Sequence, residues 1–391
     1  MPTDIISIEV EVHSIKSKSY ENSSRMKKAL FSVSFSYNQE PCMNIIKKNR
    51  IGLITCHRIP NHGSFLQAWC TVEFFKGMGQ DIEVIDYIYP NIYHLESVYK
   101  NEIKRSAENK NILARIKRYI TDRWYVCNSK RGFEYPIYRI LNRALFHNHN
   151  NLFFKQLKLS RKTYRSYKQI KQANMNYDIL LAGSDQIWNP RFSGLDGTFF
   201  LQFGDKRIKR ASYSSSFGTK TINNKLEKDY STWLKSLSHI ATREESGRII
   251  ANRLTGKNCV HVLDPVMLFD RQFWLDTINK SKYTQPKPKG YIVTYCLDYV
   301  YKGIIDYADN IMQTIANHYN LSCATLYKSS INNGNILKIS EHAHPFEFVN
   351  TLLHADFALI SSFHGLAFCI LFHTPFLVII DNEKNNDARL S

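Results

Sequence analysis

Short apolar runs recur along the chain with helix-length stretches between them, and that alternation limits the fold more than any other feature. In the first half the runs are RIGLITC (50–56), DIEVIDY (81–87), YDILLAG (177–183), RIKRASYSSSFG (207–218), SHIATREE (238–245) and CVHVLDP (259–265). In the second half they are YIVTYCL (291–297), SCATLYK (322–328), DFALISS (356–362) and FLVII (376–380). Each is strand-sized, and near-continuous hydrophobicity marks strands covered on both faces. After the first run come a polar loop, HRIPNHGS, and then SFLQAWCTVEFFKGMG, which reads as an amphipathic helix ending in glycine. With DIEVIDY they form a βαβ unit. The same alternation in both halves implies two doubly wound α/β domains facing each other. SKYTQPKPKG (281–290) reads as a linker. The expected division is an extension of little structure over 1–48, a first domain over 49–280 and a second over 288–391.

Several function classes fall away on composition. No window holds the roughly 18 uncharged apolar residues of a membrane span. MPTDIISIEVEVHSIKSKSYENSSR carries early acids and no h-region, so it is not a secretory signal, and MKKALFSVSFSY from Met26 imitates a basic signal start but its apolar part is short and broken by serines. Met43 would serve as a later start, placing MNIIKKNRIGLITC at the amino terminus. The 8 cysteines are scattered, with no C-x-x-C pair, which implies reduced thiols in a cytoplasmic enzyme rather than a zinc site. The net charge of +18 is concentrated: residues 100–171 hold 19 Lys/Arg against 4 Asp/Glu. Cations there alternate with Tyr, Phe, Trp and Leu at helical intervals. That pattern suits solvated helices, or a surface for anionic lipid heads or a lipid-linked diphosphate at the inner face of the plasma membrane. Nucleic acid is not the expected partner, because no recognised nucleic-acid motif accompanies the charge.

The unusual polar residues gather where strands end. GSDQ (183–186), Arg243-Glu244-Glu245, Asp264-Pro265, HRIPNHGS and Ser361-Ser362-Phe363-His364-Gly365 each follow an apolar run. In open α/β sheets ligands bind outside the strand carboxyl ends. Gly63, Gly183 and Gly365 would let backbone approach a ligand, and helix starts after Ser64 and near His364 would present N–H groups to an anion.

Five segments in order, IGLITCHRIPNHGSFLQAWC, DILLAGSDQIWNP, ATREESG, VLDPVMLF and ADFALISSFHGLAFCILFHTPF, resemble the motifs of the polysaccharide pyruvyl transferase family. The similarity runs from about Arg50 to Asp381, and the combination of GSDQIWNP with SSFHGLAF is its most specific part. The resemblance implies a GT-B-like pair of Rossmann-like domains. It also implies transfer of pyruvate from phosphoenolpyruvate to a hydroxyl pair on a sugar of a capsular or exopolysaccharide repeat, forming a cyclic ketal with no organic cofactor and no metal. Such chemistry needs an acid for the methylene carbon, a base for the sugar hydroxyls and positive cover for departing phosphate. His364 and Asp185 are then the catalytic candidates. Arg243 is the candidate clamp on phosphate or carboxylate, and Asn61, Gly63, Ser64, Gly183, Ser184, Ser361, Ser362 and Gly365 are candidates for shaping the substrate site.

The residues alone also fit plainer roles. His364 suits a helix cap, Arg243 a pairing with Glu244 or Glu245, and Asp185 a cap on the turn before QIWNP. Trp188 reads as a core or loop anchor, and Asp264-Pro265 as a strand stop outside the catalytic set. Phe363 occupies a place where some relatives carry a basic residue. Only about a hundred residues follow the linker, so the second domain is expected to be thin or incomplete. Two other functions remain compatible with the pattern: a GT-B glycosyltransferase using a nucleotide sugar, and a non-catalytic basic protein at the membrane surface.

Overall fold

The structure is a computed structural model that describes residues 48–380 apart from 60, 89–155, 191–192, 194–195, 286, 298–302, 332–335 and 340–342. The extension over 1–48, but for Lys48, and most of the basic segment lie outside the described residues. The described residues fall in one compact unit.

The first sheet contains β1 (Arg50–Ile54), β2 (Asp81–Val84), β3 (Ile179–Ala182) and β4 (Lys209–Ser212), in the order β2-β1-β3-β4. The pair β5 (Ala241–Thr242) and β6 (Val260–His261) extends it, through bridges from Ala211 to His239 and from Ser215 to Thr242. All these pairings are parallel, and Leu53 lies opposite Leu181 with both buried. The second sheet holds β7 (Tyr291–Tyr295), β8 (Ser322–Thr325), β9 (Ile336–Lys338), β10 (Phe357–Ile360) and β11 (Phe376–Val378), in the order β11-β10-β7-β8-β9, also parallel throughout. Strand order reverses between β1 and β3 in one sheet and between β7 and β10 in the other. Those two crevices are where doubly wound sheets take ligands.

Helices link the strands. From β1 the chain passes through α1 (His62–Gly77), and α2 (Asn224–Lys235), α3 (Glu245–Thr255) and α4 (Arg271–Asn279) follow the later strands of the first sheet. In the second, α5 (Ile304–Tyr319) joins β7 to β8, α6 (Pro345–Leu353) joins β9 to β10, and α7 (Phe363–Phe372) joins β10 to β11. The sequence reading of α1 as amphipathic is corrected here. Every residue from His62 to Val72 is buried, because the helix lies between the first sheet and elements of the second half, and a helix covered all round has no polar face to show. Trp69 of α1 packs on Trp274 (5.8 Å between ring centroids) and edge-on to Phe346 (5.2 Å). One apolar core thereby joins Leu53, Leu66 and Trp69 to Tyr291, Phe348 and Phe368.

The end of the basic segment also departs from its helical pattern. Leu159 bridges to Val84 at the end of β2, and Tyr164 to Tyr87 just beyond it: the Val84 N–H donates to the Lys158 carbonyl at 2.8 Å and the Ser160 N–H to that of Val84 at 2.8 Å. The open edge of β2 has unpaired backbone groups, and this segment satisfies them. Among the described residues of the segment, Tyr167–Lys171 is the helical part.

The Lys/Pro stretch is tied to α6. Lys287 pairs with Glu347, both side chains buried, and the Gln285 N–H donates to Glu347 Oε2 at 3.0 Å. Glu347→Ala strands a buried ammonium, so it is expected to lower unfolding free energy by about 3–5 kcal/mol, measured by urea denaturation.

Candidate active site

The amino termini of α1 and α7 face one another, and their second residues touch. An added Cβ on Gly63 would fall 2.2 Å from Nδ1 of His364, so the imidazole occupies the space glycine leaves. Asn61 caps α1, accepting from the Gly63 N–H at 2.9 Å and the Ser64 N–H at 3.3 Å. Ser362 caps α7. His364 is therefore inside the helix and not its cap. It is 6% exposed, and among the described residues its Nε2 has no hydrogen-bond partner.

Opposite His364 lie the strand ends of the first sheet. Asp264, after β6, has a fully buried carboxylate whose Oδ2 accepts from Ser184 Oγ at 2.7 Å and Arg243 Nη1 at 3.2 Å, with His364 Nε2 at 3.5 Å. Burial pushes this carboxyl up, but His364, Arg243 and Ser184 outweigh that and hold it well below the usual carboxylate range. Sequence alone makes Asp264 a strand stop. It does cap the turn Pro265–Leu268, accepting from the Val266 N–H at 3.1 Å, but it is also where the predicted site residues converge. No local pattern could show this, since the partners arrive from strand and helix ends far away in sequence.

Arg243 is buried to 2% side-chain exposure and stacks over the Phe363 ring, guanidinium carbon to centroid 4.0 Å. The residue standing in the place of a second cation thus supports the first one. Its Nε lies 3.9 Å from Glu244 Oε2, and both atoms are buried without hydrogen-bond partners among the described residues. Glu244 is held by its other oxygen, which accepts from Ser216 Oγ (3.0 Å), the Phe217 N–H (2.8 Å) and the Gly218 N–H (3.1 Å).

Asp185 follows β3 in a left-handed conformation, φ 74°, tolerated by aspartate better than by most side chains and frequent at functional sites. Its Oδ2 accepts from Ser64 Oγ at 2.5 Å, and its Oδ1 from the Gln186 N–H at 2.8 Å. It thus serves the turn and ties α1 to the end of β3.

The structure brings His364, Arg243, Asp185, Ser64 and Ser184 to one place. It gives the remaining candidates internal duties. A Cβ on Gly183 would meet Leu53 at 2.9 Å, and one on Gly365 would meet Ile360 and Tyr295 at 3.0 Å. At Gly63, Gly183 and Gly365 the space a side chain would take is filled by His364, Leu53, and Ile360 with Tyr295. Ser361 accepts from the Leu297 N–H at 3.0 Å, and Asn61 and Ser362 are caps. Trp188 is core, fully buried and stacked on Phe200 at 5.6 Å.

Behind the site, His344 caps α6 and stacks on Tyr283 at 4.0 Å. Burial, then the neighbouring His62, push its pKa down to about 3. The folded state thus favours the neutral ring, and its contribution is complete above about pH 6.5 and lost as pH falls toward 3. Thermal stability is expected to weaken across that window, by at most about 1.4 kcal/mol per pH unit for this group. The slope is expected to flatten in His344→Asn, which keeps a capping side chain.

Among the described residues no helix is long and apolar enough to cross a membrane. Among curated proteins none matches the chain by sequence. Among solved structures, UDP-GlcNAc 2-epimerase of Methanocaldococcus jannaschii, in complex with UDP-GlcNAc and UDP, is similar at 11% identity and TM-score 0.46, over 87% of this chain and 84% of that one. A putative UDP-N-acetylglucosamine 2-epimerase of Listeria monocytogenes is similar at 12% identity and TM-score 0.44, over 88% and 81%. The family model of polysaccharide pyruvyl transferase matches residues 61–383, which takes in every motif described above except the strand and loop of β1. By that match the chain belongs to the polysaccharide pyruvyl transferase family.

Proposed function

We propose that the chain transfers pyruvate from phosphoenolpyruvate to two hydroxyls of one sugar in a surface-polysaccharide repeat, without an organic cofactor. The observation that carries this reading is the buried Nε2 of His364, unpartnered among the described residues, aimed at the strand ends where Arg243 lies. Phosphoenolpyruvate has a phosphate and a carboxylate on adjacent atoms. Arg243 offers a planar fork to one of them, and the helix termini of α1 and α7 add partial positive charge.

In the first step His364 delivers a proton from Nε2 to the methylene carbon, leaving an oxocarbenium-like centre at C2. A sugar hydroxyl adds there and gives its proton to Asp185. The second hydroxyl then attacks the same carbon, its proton passing to the now neutral His364, while the carbon–oxygen bond to phosphate breaks; phosphate leaves with the proton held by Asp185, and Arg243 covers the departing charge. The basic segment 100–171 supports a lipid-linked acceptor held at the cytoplasmic face of the membrane.

Phosphate release from phosphoenolpyruvate, followed with a panel of lipid-linked sugars, tests the reaction. Phosphoenolpyruvate is expected to raise the thermal midpoint, and nucleoside diphosphates are not. The opposite pattern would replace this reading with nucleotide-sugar chemistry.

A further inference from the structure

We infer that Asp264 is a positioning residue for the transfer step, acting through His364. The inference rests on the pyruvyl-transfer reading of the site. Asp264 Oδ1 is fixed by the Val266 N–H at 3.1 Å, so the carboxylate cannot turn freely. Oδ2 then receives Ser184 from the end of β3 and Arg243 from the end of β5, at 2.7 and 3.2 Å. A carboxylate oxygen has two in-plane lone pairs, and these donors occupy both. His364, arriving from the other sheet, stops at 3.5 Å, beyond ordinary hydrogen-bond distance. The imidazole therefore faces a fixed negative charge while Nε2 keeps its hydrogen-bonding capacity for another molecule.

A hydrogen bond at this point would consume the group that has to reach the donor. Charge without a bond orients the ring and leaves it free. The same oxygen sets where the guanidinium lies, since Nη1 is held and Nε is not. The other titratable groups that feel the charge are Tyr213 and Cys70, and in both cases burial first, then Asp264, pushes the group up and keeps it protonated.

Asp264→Asn keeps the size of the side chain and its cap, and removes the charge. The turnover number is expected to fall on the order of 100-fold with KM for phosphoenolpyruvate changed much less. In a His364→Gln background the same substitution is expected to cost under about 3-fold, because its effect passes through the missing ring. With 15N-labelled histidine and no substrate, the His364 Nε2 resonance is expected to move between wild type and Asp264→Asn at fixed pH. An equal penalty in both backgrounds, or an unmoved resonance, overturns the inference and leaves Asp264 a turn cap. If the Asn variant does not fold, Asp264→Glu displaces the charge by one methylene; a shifted resonance then supports the inference and an unmoved one overturns it. A resonance that moves on substitution, in a protein whose wild type releases no phosphate with any acceptor, sinks the functional reading and leaves the Asp264–His364 coupling standing.

Discussion

Gly63→Ala is expected to abolish transfer and lower stability together. The new methyl would overlap the His364 ring, at 2.2 Å from Nδ1 and 2.4 Å from Cγ. The ring is buried, 6% exposed, so it cannot simply swing into solvent. Either the imidazole leaves its place near Asp264 or α1 and α7 move apart. Overpacking of this kind costs about 1–3 kcal/mol, and a misplaced acid of this importance costs on the order of 100-fold in turnover or more. Thermal unfolding and phosphate release measure the two losses. A Gly63→Ala/His364→Ala pair separates them: with the ring gone the methyl has room, so the midpoint recovers while activity stays absent. A single Gly63→Ala enzyme with normal turnover would show that the close contact has no part in the chemistry.

Arg243→Ala is expected to have the largest combined effect. It removes the donor to Asp264 at 3.2 Å and leaves that buried carboxylate, with Glu244 beside it, short of a cation. Breaking one side of a buried pair costs about 3–5 kcal/mol, and the donor loses its clamp. Calorimetric titration with phosphoenolpyruvate is expected to show no binding where wild type binds. Arg243→Lys keeps the charge but loses the planar face that rests on Phe363 at 4.0 Å and the fork proposed to grip the substrate anion. It is therefore expected to regain most of the stability and little of the affinity. Lysine restoring both would mean that point charge, and not geometry, matters here.

The strand skeleton is legible in the sequence because buried parallel strands need long apolar runs, and each of those runs contains a strand. Strand β9, ILK, escapes for the converse reason: it is a short edge strand with Leu337 and Lys338 exposed, so burial wrote no pattern into it. Helix α1 misleads because periodicity reports one covered face, and this helix has none uncovered over its first turns. At the site, His364, Arg243 and Asp185 can be found because polar residues at strand ends stand out against apolar runs. Asp264 looks the same but carries an obvious local duty beside Pro265. Its second duty depends on Ser184, Arg243 and His364, which only the folded chain delivers to one oxygen.

The all-round enclosure of α1 is also a mechanical fact. Its first turns belong to the filling of both halves at once, so the halves are not shells on a hinge. Parting them would wet Trp69, Trp274 and Phe346 in a single motion, at about 1.5–3 kcal/mol for each large side chain. A transfer cycle that required such parting would carry that cost at every turnover.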